Sequence, residues 1–160
     1  MILKKYNRFD FQEYKKIAGN NYANEISKAN GISLDEAKAK SEEQFNLILP
    51  DGLETKNQFF FKCIKDNEEV GMVWFCLYND GKIKKAFIYD FYVWTNYRNN
   101  GYSKKIMSLV ESEARAMGAK AIGLHVFVHN EIAYGIYQKL GYGVTEKGES
   151  SVEMEKFFEC

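Results

Sequence analysis

Through its middle the chain runs Asp90-Phe91-Tyr92-Val93-Trp94-Thr95-Asn96-Tyr97-Arg98-Asn99-Asn100-Gly101-Tyr102-Ser103-Lys104-Lys105-Ile106-Met107. A β-rich aromatic run stops at a polar loop with one glycine. The loop feeds directly into residues spaced for an amphipathic helix, Ile106, Met107, Val110, Ala114 and Met117, with Gly118 as its stop. Such a junction leaves free backbone amides at the helix start, and these bind anions, phosphates above all. Gly101 lets the backbone approach a ligand closely, and Ser103 can cap the helix through its hydroxyl. Lys104 and Lys105 fall in the first turn, where positive charge opposes the helix dipole at a few tenths of a kcal/mol each, a misfit that bound phosphate would remove. Taken alone, these residues also fit a plain surface loop with two solvated lysines.

Upstream, a short strand (Ile2 to Tyr6) precedes a helix that Asp10 can cap and Gly31 can stop, and Ser33-Leu34-Asp35-Glu36 opens a second helix as a capping box. Pro50-Asp51-Gly52 ends that helix. Gln58 to Lys65, Val70 to Tyr78 and Ala86 to Val93 are β-type runs joined by turn residues, so they form an antiparallel meander. Downstream come a strand (Ala121 to Val128), a short helix (Glu131 to Leu140) closed by Gly141, and two last strands (Tyr142 to Val144 and Val152 to Lys156). No repeat, low-complexity stretch or linker interrupts this order, so residues 1–160 read as one domain.

At 160 residues, with 46% hydrophobic and 28% charged side chains, the chain can bury a sizeable core. Its formal net charge is zero and its basic residues never run beyond adjacent pairs, which speaks against a broad nucleic-acid footprint. Apolar runs are short and the start, Met1-Ile2-Leu3-Lys4-Lys5, has no apolar signal-peptide core, so a cytoplasmic protein without a membrane span is expected. Cys63, Cys76 and Cys160 lack metal-type or redox-type spacing and read as reduced, structural thiols. His125 and His129 flank the strand-like Val126-Phe127-Val128 with no third ligand nearby, so no metal is expected.

A second segment bears on the loop: Asn130-Glu131-Ile132-Ala133-Tyr134-Gly135-Ile136-Tyr137-Gln138-Lys139-Leu140-Gly141-Tyr142. At about 3.6 residues per turn, Asn130, Ala133 and Tyr137 fall near one helix face, with a small residue in the middle where a slim ligand arm could pass. Taken singly, Asn130 reads as an N-cap and Tyr137 as a core aromatic with its hydroxyl satisfied.

Together the two segments resemble the GNAT superfamily of acyl-CoA N-acyltransferases. Arg98 to Ser103 is similar to its pyrophosphate loop, usually Gln/Arg-x-x-Gly-x-Gly/Ala, with Ser103 in the last place. Residues 130–142 are similar to its Asn-x-x-Ala-x-x-x-Tyr-x-Lys-x-Gly-Phe/Tyr segment. The resemblance runs from about Ala86 to Lys156, with element order agreeing upstream. It implies an α/β (α+β) fold with a central mixed, mostly antiparallel sheet flanked by helices. It also implies acetyl-CoA as cosubstrate, lying between two splayed strands, here Ala86 to Val93 and Ala121 to Val128.

By that resemblance, main-chain groups of Phe91, Tyr92 and Val93 would meet the pantetheine arm and the acyl carbonyl. Arg98, Asn99, Asn100, Gly101, Tyr102, Ser103 and Lys104, with Lys105 a further cation, would hold the pyrophosphate. Asn130, Ala133 and Tyr137 would line the arm. The implied reaction is direct attack of an amine on the thioester. Tyr137, with Tyr134 as rival, would protonate the departing thiolate, and Asp90 is the candidate base. Strand alternation puts Asp90 and Tyr92 on one face and Tyr89, Phe91 and Val93 on the other.

The amine is expected near residues 20–33 and the late strand connections. Asp35, Glu36, Glu42, Glu43, Asp51 and Glu54 would suit a cationic acceptor such as a polyamine, an aminoglycoside or a lysine, though a solvated helix face explains them as well. Peptide or protein amines stay equally open. Tyr22, Trp74 and Tyr92 could line the acceptor pocket or simply pack a core. The rival class is a non-catalytic acyl-CoA-binding sensor. Residues Tyr142 to Lys156 would offer a face for a homodimer that the sequence does not specify.

Overall fold

A computed structural model describes residues 1–159, and Cys160 lies outside them. The chain divides into two compact units, Tyr6–Gln58 and the combination of Met1–Lys5 with 59–159.

The first unit is a helix pair, α1 (Arg8–Asn30) and α2 (Leu34–Ile48). Asn7 and Asp10 form a reciprocal capping box, so the cap lies three residues before the expected Asp10, whose carboxylate instead returns a bond to the Asn7 amide. Gly31 closes α1 in the left-handed conformation and Ser33 caps α2, as expected. The helices approach through small residues: Ala23 and Ala37 are fully buried, and the Ser41 hydroxyl donates to the Gly19 carbonyl at 2.9 Å.

The second unit holds a seven-stranded mixed sheet in the order β1-β2-β3-β4-β5-β7-β6. Its strands are β1 (Ile2–Lys5), β2 (Gln58–Lys65), β3 (Glu68–Asn79), β4 (Lys84–Val93), β5 (Ala121–Phe127), β6 (Gly143–Lys147) and β7 (Ser151–Phe157). Asp66 and Asn67, both at positive φ, make the tight turn between β2 and β3. β3 and β4 are antiparallel, β4 and β5 parallel, and β7 runs antiparallel to both its neighbours.

Helices α3 (Tyr102–Ala116) and α4 (Glu131–Lys139) pack on one sheet face. Ile106, Met107, Val110 and Ala114 of α3 are fully buried against Val73, Phe75, Ala86, Ile88, Ile122, Leu124 and Val126. Removing that much apolar area from water is the main stabilising term, at roughly 25 cal/mol per Å². The elements match the sequence reading to within a few residues, most loosely at the start of α1 and the end of β6.

Candidate acyl-transfer site

β4 and β5 pair only through Lys85–Ala121, Ala86–Ile122 and Phe87–Gly123. Beyond the last pair, β4 continues to Val93 and β5 to Phe127 without pairing to each other, so the two parallel strands open a V toward their C-terminal ends. Gly123 suits the vertex: a Cβ there would sit 3.5 Å from the Phe87 ring and 3.4 Å from the Met154 carbonyl oxygen. β4 leads from the V to the 98–101 loop and α3, and β5 leads to Asn130 and α4.

β4 carries a bulge inside the V. Trp74 pairs with Asp90 but Phe75 with Ile88, leaving Tyr89 as an extra residue. Phase therefore shifts by one, which corrects the expected alternation. Ala86, Ile88, Phe91 and Val93 face the α3 side, whereas Tyr89 does not join Phe91 and Val93. It lies with Phe87 and stacks on Trp74 at 4.6 Å, and Trp74 in turn stacks on Phe60 at 4.9 Å. Asp90 and Tyr92 share the face opposite Phe91, as read.

The main-chain directions follow from one bond. The Trp94 amide donates to the Val70 carbonyl at 2.9 Å, so Gly71–Val93 is a pair whose own N–H and C=O groups point away from each other. Val73–Phe91, two residues along, is of the same kind. Hence the N–H and C=O of Phe91 and Val93 turn away from β3 toward the V. Two of these groups are held by nearby side chains: the Val93 carbonyl accepts from Arg98 Nε at 3.0 Å, and the Phe91 amide donates to Asp90 Oδ1 at 3.1 Å.

Arg98 is thus tied to the strand end, and its guanidinium is exposed beside the loop. Asn99 (φ 66°) and Gly101 (φ 73°) are left-handed, and Asn100 Nδ2 donates to the carbonyls of Tyr97 and Arg98 at 3.2 Å each. α3 begins at Tyr102 with Gly101 as its N-cap, and no side chain caps this end, so Ser103 is the second helical residue and not the expected cap. By contrast, Asn7, Ser33 and Asn130 cap α1, α2 and α4, each with an acid in the first turn. α3 has none, and carries Lys104 and Lys105, both exposed. Lys105 and Lys65 Nζ each lie 5.9 Å from the centroid of the Tyr102 ring. This end is built to receive negative charge.

Sequence reasoning missed what holds the loop. Glu68 accepts from the Tyr97 hydroxyl at 2.8 Å and Glu69 from Trp94 Nε1 at 3.2 Å, so the β2–β3 hairpin braces the turn before Arg98. The Glu68 carboxylate, with a smaller effect of burial, raises the Tyr97 pKa. Two acids after a tight turn gave no clue to their targets.

On the other side of the V, Asn130 Oδ1 accepts from the Ala133 amide at 3.4 Å, the capping role read above. Ala133, Tyr134 and Tyr137 pack partly buried against the core. The Tyr137 ring lies 5.8 Å from that of Tyr142, and burial raises the Tyr137 pKa, so the phenol keeps its proton at neutral pH. His125, on β5 beyond the vertex, is exposed, and its Nε2 is 2.8 Å from Ser151 Oγ. Among the described residues no cluster of three or more His, Cys, Asp or Glu could hold a metal ion. No described helix is long and apolar enough to cross a membrane. Asp35, Glu36, Glu42, Glu43, Asp51 and Glu54 are all exposed, as on a solvated face.

A model of the Acetyltransferase (GNAT) family matches residues 24–142. The chain belongs to this family. Two Bacillus subtilis (strain 168) proteins named as uncharacterized N-acetyltransferases, YdgE and YycN, are 33% and 34% identical over 138 and 139 residues. The matches span 85% and 86% of this chain, and 87% and 88% of the relatives. The crystal structure of YycN is similar at a TM-score of 0.81 and 31% identity, covering 93% of this chain and 96% of that one. The PaiA N-acetyltransferase of Thermoplasma acidophilum, solved in complex with coenzyme A, shares the fold at a TM-score of 0.67 and 17% identity, covering 98% of each chain. The seven-stranded mixed sheet is therefore the GNAT fold.

Proposed function

We propose that this chain transfers an acetyl group from acetyl-CoA to a primary amine, with residues 1–160 acting as one domain. The observation that carries the reading is the parting of β4 and β5 after Phe87–Gly123, beside an α3 start that no side chain caps. That PaiA was solved with coenzyme A, and a GNAT acetyltransferase of Elizabethkingia anophelis with acetyl-CoA bound, supports the choice of cosubstrate.

In this reading the amides at the start of α3 and the Arg98 guanidinium take the pyrophosphate. Asn99 and Gly101, already left-handed, spare binding the cost of ordering the loop. The pantetheine arm runs along the V-facing groups of Phe91 and Val93. The acyl carbonyl lies near the Phe91 amide, a donor fit to stabilise the oxyanion that forms as the amine attacks. Two proton movements accompany acyl transfer. The ammonium, of ordinary pKa ~10.4, must lose a proton, and the thiolate of CoA, of pKa ~8.5, takes one. Asp90 accepts the first and the Tyr137 phenol donates the second. The acceptor class follows only from the family's chemistry, and a screen over small amines, polyamines, aminoglycosides and peptide amines would identify it.

Calorimetric titration with acetyl-CoA, CoA and ADP, followed by thiol release in the presence of those amines, tests the proposal. Micromolar binding of acetyl-CoA with amine-dependent thiol release is expected. Absence of binding by folded protein refutes it, and binding without release from any amine would make the protein an acyl-CoA sensor instead.

A further inference from the structure

The Phe91 amide is the V-facing donor of β4 nearest the proposed acyl carbonyl, and it is already in use. Asp90 Oδ1 accepts its hydrogen at 3.1 Å, a bond between neighbouring residues just past the bulge at Tyr89. A carboxylate is a far stronger acceptor than the carbonyl oxygen of a thioester, because the negative charge roughly doubles the strength of the bond. A thioester arriving in the V therefore does not win this amide while Asp90 is ionised. An oxyanion competes on equal terms, and a protonated Asp90 competes poorly.

We infer that Asp90 and the Phe91 amide form a handover device, in which proton transfer to Asp90 releases the oxyanion donor at the moment the oxyanion forms. The inference rests on the acyl-transfer reading above. The ammonium proton passes to Asp90, whose oxygen loses its charge and lets go of the Phe91 N–H. In the same step the amine nitrogen bonds to the acyl carbon, the carbonyl π pair moves onto its oxygen, and that oxygen accepts the freed N–H. Collapse of the tetrahedral intermediate breaks the C–S bond and expels the CoA thiolate, which takes a proton from Tyr137, and the second proton that the nitrogen must lose to become a neutral amide passes to the resulting phenolate. The amide is engaged by substrate only in the transition state, which raises turnover without tightening the ground state. The geometry also gives the bond a direction: Phe91 N–H points away from β3, into the space that β5 leaves open.

The test is the ratio of acetyl-CoA to CoA affinity in Asp90→Ala and Asp90→Asn, with turnover measured beside it. CoA has no carbonyl and does not ask for the amide. Asp90→Ala frees the amide, so acetyl-CoA is expected to bind about tenfold tighter while CoA is unchanged, and turnover is expected to fall at least a hundredfold. A role confined to holding the strand would weaken both ligands together. Asp90→Asn keeps an acceptor oxygen in place but cannot take the proton. Its neutral oxygen holds the amide less tightly than a carboxylate, so its affinity ratio is expected to shift part of the way toward that of Asp90→Ala while turnover is lost, and this variant carries the test if Asp90→Ala does not fold. An unchanged ratio in folded Asp90→Ala overturns the inference, as does retained turnover in Asp90→Asn. Failure of the unmodified protein to bind acetyl-CoA would instead remove the underlying reading.

Discussion

At Gly71 the backbone of β4 leaves no room for a side chain on β3, and Gly71→Ala puts a number on that approach. A Cβ at residue 71 would lie 2.2 Å from the Tyr92 carbonyl oxygen and 3.3 Å from Val93 Cα, where ordinary contacts are 3.4–4 Å. Both obstacles are backbone, so no rotamer change relieves the clash. The end of β4 must retreat by about 1 Å, an overpacking cost of typically 1–3 kcal/mol. Weakening of the Trp94–Val70 bond by that retreat adds about 1 kcal/mol. At roughly 2–4 °C per kcal/mol for a chain of this size, the expected fall in Tm is about 4–16 °C. Gly135→Ala is the control: nothing lies within 4 Å of its Cβ and the residue is inside α4, so a gain of about 0.5–1 kcal/mol is expected. Thermal unfolding followed by circular dichroism reads both, and calorimetry reads acetyl-CoA binding, which should weaken in Gly71→Ala because Phe91 and Val93 move with the strand. A Gly71→Ala protein with the Tm and acetyl-CoA affinity of the parent would show that Gly71 does not set the position of β4.

Arg98→Lys keeps the charge but loses the Nε bond to the Val93 carbonyl, so CoA, acetyl-CoA and ADP should all weaken by about three- to tenfold, at ~1 kcal/mol for the bond. Equal affinities in the two proteins would mean that charge alone matters there. Tyr137→Phe should bind acetyl-CoA normally yet lose about a hundredfold in turnover at saturating substrate. Unchanged turnover would remove the phenol from the reaction. Burial, with a smaller contribution from Glu69, pushes the Cys63 thiol up to about 12, and burial also raises Cys76. Neither should react with a disulfide reagent at pH 8 until the protein unfolds, as peptide mapping of the labelled sites would reveal. The linked sign is definite: folding keeps Cys63 protonated to about 12, whereas an unfolded thiol ionises near ~8.5. Its contribution is complete below the unfolded value and is lost as pH rises toward the folded one, so Tm should fall between pH 8.5 and pH 11.

Much of the fold was legible because its elements announce themselves at their ends. Gly31, Ser33, Gly118 and Gly141 mark boundaries that backbone chemistry imposes, and α3 shows its buried stripe at helical spacing. Asn7 was overlooked as the cap of α1 because Asp10 is also a capping residue type, and a capping box uses both. β6 was read short because Thr145, Glu146 and Lys147 are exposed on an edge strand, where pairing on one side alone leaves no hydrophobic alternation to detect.

The candidate site was legible as a list of residues and obscure as an arrangement, and β4 shows why. A bulge inverts the phase of every residue after it, so alternation counted from Ala86 must be wrong for one side of Tyr89. The sign was present in the spacing of the side chains that meet α3: Ala86 and Ile88 keep the period of two, whereas Phe91 and Val93 resume it one residue late. It went unseen because both faces of β4 carry large apolar groups, Phe87 and Tyr89 on one and Ile88 and Phe91 on the other, so no polar residue exposes the slip. The bulge lies beside the bond from the Phe91 amide to Asp90. It sets Asp90 next to a Phe91 amide that faces the V, and a regular strand would have supplied the same residues without that juxtaposition.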